Sequence, residues 1–589
     1  MSGEHYSAFI KEAFIDPIRS VLIVDDDYPT FDEVLDAQLS SSQGGAKPSA
    51  KAWSKNPERI KKVIARFRDP KHPLLVDIHD GTNVPAGAES KIAAHLHQSD
   101  LLVLDYQLDK SKPNDGSMAF EIIRSLMRND HFNLVAVHTS EDIDQVFRNT
   151  LIAALPPSGC VQADADAVKA NELLAECEDT IEGSYDRIRA SIDVDAYLFA
   201  RQNPDKYMRA IGKGQAPFTA FKDACDALEW PNPDRKIVVA YLLAEVESRL
   251  MPRMNPNPAP GLVWSDGPVK YIKSDSVFVS FSAKGDEGNL LEDLLLALST
   301  WCPRPSRLFL AKLRAEMDEY GAIAQGAALE SRFALAHWYR RLLSSEGSER
   351  QWYIDDSVAR HSEQLMNGIL PRVAAFAKRL VETEAKLASA DETTKAHFGV
   401  DFQKLDEMLR AEREHNALVS TTTPTGWHLT TGHVFEVENK IWVCVSPACD
   451  MVPGQLSSSR REAFGERLPF MAVCLTETKK GKILDAQSNR YLFLPLNGTV
   501  TSFCFNDPSD DASAPVWHTL YAEKRGVFEA DGLGFTVCMT ECDGDALVQK
   551  NRPARVVAQL RYEYALNFVQ KLGGSMTRIG LDFVGRKEK

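Results

Sequence analysis

The stretch Leu101-Leu102-Val103-Leu104-Asp105 is a short apolar run that ends in a carboxylate. Two other runs have the same form. Upstream, Val21-Leu22-Ile23-Val24 leads into Asp25, Asp26 and Asp27; downstream, Leu134-Val135-Ala136-Val137 leads into His138, Thr139 and Ser140. Short runs rich in Val, Ile and Leu read as strands buried on both faces, the pattern of a parallel sheet. A further run, Leu74-Leu75-Val76-Asp77-Ile78, closes on Asp80-Gly81. Between these strands, Thr30 is placed to cap a helix through Phe31, Val34 and Leu35. Ser40 to Gly45 reads as a loop, a basic helix spans Arg59 to Arg68, and another helix lies near Ser90 to His97. Strand, helix, strand, helix, strand predicts right-handed parallel crossovers. Ligands of such sheets bind at the carboxyl ends of the strands. Here those ends carry an acidic cluster, a single aspartate and a hydroxyl.

The chain has 589 residues, 44 % of them hydrophobic and 26 % charged, an ordinary globular composition with room for several domains. A formal charge of −15 argues against nucleic acid as a partner. No apolar run approaches the roughly 20 residues that cross a bilayer, so no membrane partner is expected. The start, MSGEHYSAFIKEAF, lacks the basic and apolar regions of a signal peptide. Ten cysteines without CxxC pairs fit a reducing cytoplasm. The expectation is a soluble, cytoplasmic, multidomain protein.

After Asp105 the chain reads YQLDKSKPNDGSMAFEIIRSLMR, with Leu108, Pro113 and Asp115-Gly116 ahead of an amphipathic helix through Ile122, Ile123 and Leu126. Thr139-Ser140-Glu141 follows the next strand. In this order these features resemble the response-regulator receiver family of two-component phosphorelays. The loop after Asp105 is somewhat longer than the family's usual one. The resemblance implies a flavodoxin-like, doubly wound parallel sheet and assigns Asp105 as phospho-acceptor. It implies Mg²⁺ as cofactor, held by Asp25, Asp26, Asp105 and the backbone carbonyl of Gln107. Thr139 and a lysine would hold the phosphoryl oxygens. Gln107 and Glu141 would flank and orient the attacking water, which implies a short-lived phosphoryl group. The chemistry is an aspartyl attack that forms an acyl phosphate. An anionic nucleophile must approach an anionic phosphoryl group, and a divalent cation removes that conflict. Capturing the phosphoryl group would then draw Thr139 and its loop inward.

The family's fifth strand and its lysine do not follow Thr139 closely. Val277-Phe278-Val279-Ser280-Phe281-Ser282-Ala283-Lys284 has the right form, and an apolar helix through Leu290, Leu294, Leu298 and Trp301 follows it. Lys284 is therefore the expected receiver lysine, with Lys270 and Lys273 as competitors. The intervening segment reads as a helical insertion, with helices near Ala165–Cys177, Phe218–Leu228 and Arg235–Leu250 and a proline-rich loop at Pro252 to Pro260. The expected domains are 1–155 for the first four receiver strands, 156–265 for the insertion and 266–303 for the completing strand and helix. A helical connector at 304–418 and a C-terminal α+β domain at 419–589 follow. The fold class is thus α/β, a receiver-like sheet with these additions.

In the connector, Leu310, Leu313 and Met317, then Leu335, Trp338 and Leu342, then Leu365, Ile369, Val373, Phe376 and Leu380 lie at helical spacing. Such stripes are usually core or a seam between copies, so homo-oligomerisation through the connector is expected. Pro371 interrupts the third stripe and predicts a kink or restart. Beyond 418 the pattern turns to strands. Glu438-Asn439 joins Gly432–Val437 to Lys440–Val445 as a hairpin. More strands are expected at Phe470–Thr476, Tyr491–Pro495, Val500–Phe505 and Gly534–Met539, then a helix from Arg555 to Leu572 and a last strand at Ile579–Phe583.

Ser446-Pro447-Ala448-Cys449-Asp450 follows one of these strands. Cys449 could be a nucleophile with His428 or His433 as base. Cys444, Cys449 and those histidines could instead hold a metal, or Cys449 could simply sit in a turn that Asp450 caps. No DNA-binding output module stands out. The expected role is a response regulator phosphorylated by a sensor histidine kinase, a switch or phosphate sink rather than a turnover enzyme. A pseudo-receiver scaffold and an enzyme sited at Cys449 are the alternatives. In architecture the chain is similar to the receiver proteins of Detocs-like bacterial anti-phage systems, which implies antiviral defence and an effector protein as partner.

Overall fold

The apolar runs pair as neighbours. Strands β1 (Ser20–Val24), β3 (Leu101–Leu104) and β4 (Asn133–Thr139) lie parallel, with Val21 beside Leu101 and Leu101 beside Leu134. Strand β2 (Leu75–His79) lies parallel on the far side of β1. All of β3 and most of β1 and β4 are buried, as strands covered on both faces must be. Beyond β4 comes β7 (Val277–Ala283), parallel to it from Asn133 beside Val277 to Thr139 beside Ala283. Two short antiparallel strands, β5 (Val263–Ser265) and β6 (Tyr271–Lys273), complete the edge. The sheet order is β2-β1-β3-β4-β7-β6-β5, a doubly wound parallel sheet with an antiparallel margin.

The structure is a computed structural model. It describes residues 4–42, 57–68, 73–81, 99–109, 111–112, 114–158, 164–257, 259–285, 289–329, 331–453, 462–478, 486, 490–506, 515–530 and 532–577. The expected helix at Ser90–His97, the loop residues Gln43 to Gly45, Pro113 and the strand at Ile579–Phe583 lie outside these. Ser40 to Ser42, read as loop, end the helix Phe31–Ser42.

One face of this sheet packs Leu22, Val24, Leu102, Leu104, Val135, Val137, Val277 and Val279 into a core shared with the helices Ser117–Met127 and Ile143–Ala154. On the other face Phe278 meets Trp301, ring centroids 5.4 Å apart, and Trp301 meets Phe14 at 6.1 Å. That brings the helix Leu290–Trp301 and the N-terminal helical segment Glu4–Ile15 onto the sheet. Between β4 and β7 the chain forms the helices Asp164–Thr180, Ser184–Ala190, Val194–Gln202, Tyr207–Lys213, Thr219–Ala227 and Asn232–Leu250. The second to fourth of these are one to three turns long, too short for hydrophobic periodicity to reveal.

The contact pattern divides the chain into units Met1–Lys312 and Leu313–Lys589. The second unit holds the helices Arg332–Ser344, Gly347–Leu387, Ala390–Phe398 and Leu405–Ser420. Pro371 does not restart the helix: Gly347–Leu387 runs through it, and Ile369, Phe376 and Leu380 are buried on either side. The first expected stripe does not pack as expected, since Leu310 and Met317 are 62 % and 41 % exposed.

The rest of this unit is built on a sheet of nine strands, part of which closes into a barrel. Its strands are β8 (Thr421–Thr422), β9 (His433–Val437), β10 (Lys440–Cys444), β11 (Leu468–Glu477), β12 (Tyr491–Leu496), β13 (Thr499–Cys504), β14 (Val516–Ala522), β15 (Gly534–Asp543) and β16 (Ala546–Leu560). Antiparallel pairings run β10-β9-β16-β15-β14-β11, and β11 pairs back to β10, so six strands close on themselves and lose their edges. Phe435, Phe470, Phe535, Leu520 and Val556 fill the interior. Glu438 and Asn439 both take positive φ (49° and 64°), the backbone a two-residue hairpin needs. The expected helix at Arg555–Leu572 is corrected: residues to Leu560 belong to β16, and the helix is Tyr562–Met576. Ala554, Val556, Ala558 and Leu560 are buried with half-buried or exposed residues between them, a period of two that a helix cannot have.

Candidate functional site

Strand ends determine which side chains meet. The Asp25 N–H donates to the His79 carbonyl (3.0 Å), and the Asp105 N–H donates to the Val24 carbonyl (2.9 Å). These bonds hold both aspartates at the carboxyl edge of β1 and β3. Asp25 is buried, and its Oδ1 accepts the Asp27 N–H at 2.9 Å, which turns the acidic loop over the site. Asp26 is half-buried beside it. Asp25, Asp26 and Asp105 each offer a carboxylate oxygen, and these oxygens lie within 4.8 Å of one another.

Lys284 reaches this cluster from the end of β7. Its Nζ donates to Asp25 Oδ2 at 2.8 Å and to Asp105 Oδ2 at 2.7 Å. Its backbone N–H donates to the Thr139 carbonyl at 2.7 Å, continuing the β4–β7 ladder one residue past the strand. Thr139 is buried, and its Oγ1 accepts the Glu141 N–H at 3.1 Å. Gln107 lies half-buried two residues after Asp105. The competitors point elsewhere: Lys270 pairs with Asp144 (2.8 Å) and Lys273 with Asp275 (3.3 Å).

Burial sets the electrostatics. The side chains of Lys284, Asp25 and Asp105 are only 7 %, 4 % and 10 % exposed. Burial raises the Asp105 carboxyl to about 6; the Lys284 ammonium opposes that shift, and the charge of Asp25 adds to it. Burial alone would lower the Lys284 ammonium, but the charges of Asp25 and Asp105 outweigh it and hold its pKa above the ordinary value. The site is a buried cluster of two charge signs, the environment that tunes reactive groups and that costs stability when one member is lost.

An all-oxygen set from three carboxylates is the donor chemistry of a hard divalent cation such as Mg²⁺. The cluster of Asp25, Asp26 and Asp105 has the donor set to fit such an ion.

The segment 17–181 matches the family model of the response receiver domain. The first unit carries a receiver domain. The match runs from ahead of β1 through the first inserted helix and stops short of β7, so Lys284 lies beyond it. No curated protein and no solved structure matches the chain. Receiver domains generally bind Mg²⁺ at an acidic pocket and take part in phosphoryl acceptance, which implies a histidine kinase or another phosphodonor. Among the described residues no helix is long and apolar enough to cross a membrane.

In the second unit, Cys449 is exposed, and its thiol lies 3.7 Å from Asp450 Oδ1. His433 is buried with its Nδ1 accepting the Thr430 N–H at 2.9 Å, and burial pushes its pKa down to about 3. His428 Nε2 lies 3.1 Å from the Met451 carbonyl, and Cys444 is buried in β10 with its thiol pushed up to about 12 by desolvation. Among the described residues neither imidazole has a hydrogen bond to the Cys449 thiol, and no metal-holding cluster of these cysteines and histidines forms.

Tyr106, which follows Asp105, is itself buried and carries no motif in the sequence. Its one signal was Gly116, where a Cβ would lie 2.3 Å from the Tyr106 ring.

Proposed function

We propose that this protein is a response regulator whose Asp105 accepts a phosphoryl group from a partner histidine kinase in a Mg²⁺-dependent reaction. The observation that carries this reading is the convergence of Asp25, Asp26 and Asp105 with Lys284 Nζ bonded to two of them. In this reading Asp105 is the nucleophile, and its carboxyl must ionise to attack phosphorus in line; the acyl O–P bond forms as the P–N bond of the kinase's phosphohistidine breaks and its imidazole leaves. Bound at the three aspartates and the Gln107 carbonyl, Mg²⁺ would supply charge neutralisation for the incoming phosphoryl oxygens. Lys284 leaves its ion pair with Asp105 and holds a phosphoryl oxygen, as the Thr139 hydroxyl holds another. Gln107 and Glu141 orient the water that ends the phosphorylated state, so the acyl phosphate is short-lived. The protein then serves as a relay switch or phosphate sink beside an effector. Its architecture of a receiver with a long additional part supports a place in a bacterial anti-phage phosphorelay.

The test is incubation with Mg²⁺ and acetyl phosphate, comparing the natural chain with Asp105→Asn and with a chelator-treated sample. Labelling of the natural chain alone, lost on chelation, supports the reading. Labelling of both proteins, or of neither, overturns it.

A further inference from the structure

Tyr106 is fixed on every side. Its ring packs edge-on against Phe120, centroids 5.8 Å apart, and lies over Gly116 at a distance no side chain there would allow. Its phenol oxygen accepts Asn149 Nδ2 at 3.0 Å, from the helix Ile143–Ala154 that follows Thr139. Asn149 Oδ1 in turn accepts Arg253 Nη2 at 2.7 Å, from the turn Met251–Arg253 that ends the last inserted helix. An arginine only donates, so it fixes the orientation of the amide, and the amide then fixes the phenol as acceptor. A return path closes the circuit: Arg124, from the helix after the acceptor loop, donates through Nη2 to the Arg253 carbonyl (2.7 Å) and through Nε to the Ala153 carbonyl (2.8 Å).

We propose that Tyr106, Asn149 and Arg253 are positioning residues of the phosphoryl-accepting site, a relay through which the inserted helical segment holds the acceptor loop and senses its occupancy. The proposal rests on the reading of Asp105 as acceptor. The physical link is the backbone: Tyr106 sits between Asp105 and Gln107, and a ring locked at both its edge and its hydroxyl fixes the peptides on either side. Those peptides carry the carboxylate and the carbonyl assigned to the cation. The insertion thus contributes to the geometry of the site although none of its side chains touches the carboxylates in the circuit described.

The test uses the full chain as Tyr106→Phe, Arg253→Met and Arg253→Lys, with Asp105→Asn as reference. Calorimetric titration with Mg²⁺ alone, acetyl phosphate labelling, and amide exchange at Met254 and Asn255 with and without Mg²⁺ and beryllofluoride are the readouts. Tyr106→Phe should weaken Mg²⁺ binding by about 3-fold to 10-fold, the net worth of one neutral hydrogen bond, and Arg253→Met, which removes a charged donor, by at least as much. Arg253→Lys, which keeps a donor, should recover part of that loss. Ligand-induced change in exchange at Met254 and Asn255 should appear in the natural chain and vanish in Tyr106→Phe. Natural Mg²⁺ affinity and labelling in Tyr106→Phe and Arg253→Met, with only their melting temperature changed, would make the circuit structural and overturn the proposal. In that case loss of labelling in Asp105→Asn leaves the acceptor reading intact. Absence of Mg²⁺ binding and labelling in the natural chain overturns both.

Discussion

The carboxyl edge of the receiver sheet and the interior of the barrel both bury titratable groups, and they treat them in opposite ways. In the barrel each group is met by its own local partner. His433 takes the Thr430 N–H, His428 faces the Met451 carbonyl, and desolvation moves His433 and Cys444 toward their neutral forms. At the receiver edge, separate strands bring carboxylates and an ammonium to one point, and Lys284 keeps its charge because two carboxylates face it. Groups satisfied singly serve a fold. Groups that converge with opposite charge, and whose removal leaves a buried charge unpaired, make a site.

The sharpest way to separate the two regions is to damage one core alone. Phe435 is fully buried against Phe470 and Phe535. Phe435→Ala should cost about 3–5 kcal/mol in the barrel, read by denaturant unfolding, while acetyl phosphate labelling of the receiver persists. Loss of labelling would break the separation. Lys284→Met comes next. It leaves Asp25 and Asp105 without their cation and should cost about 3 kcal/mol at neutral pH. Thermal melts should show part of that stability restored by Mg²⁺, and a variant indifferent to Mg²⁺ would count against a cation site.

Acid should find the barrel through His433. The folded imidazole has a pKa of about 3 against an ordinary 6.5, so the unfolded chain takes up a proton that the folded barrel refuses. Its contribution is complete above pH 6.5 and is lost as pH falls towards 3. The slope is at most about 1.4 kcal/mol per pH unit. His433→Asn should flatten it in unfolding curves taken across that range. The smallest effect belongs to Cys449, whose thiol is exposed and lies against the carboxylate of its own neighbour Asp450. Cys449→Ser should change stability by less than about 0.5 kcal/mol and leave labelling untouched; a larger change would reopen the thiol as a site.

Much of the receiver was legible because its information is local. Four apolar runs, each ending in a polar residue, identify buried parallel strands and place Asp25, Asp105 and Thr139 at one edge. Lys284 was legible for the same reason: Val277 to Phe281 is such a run, however far along the chain it lies. Strands β5 and β6 were not, since three residues carry no periodicity. Closure of the barrel was not either, because the pairing of Trp442 with Cys474 depends on distant segments. Val556 to Leu560 suits a helix or a strand by composition, and only its neighbours β9 and β8 decide. The circuit at Tyr106 was invisible for the plainest reason. Tyr106, Asn149 and Arg253 are unremarkable alone and acquire meaning only when the fold sets them in line.

The most direct test is to identify the phosphorylated atom. The protein is incubated with Mg²⁺ and acetyl phosphate, the acyl phosphate is reduced with borohydride, and the peptides are sequenced by mass spectrometry. Reduction converts a phosphorylated aspartate to homoserine, which is expected at position 105 and nowhere else. Homoserine at 25 or 26, or at no position, would contradict it.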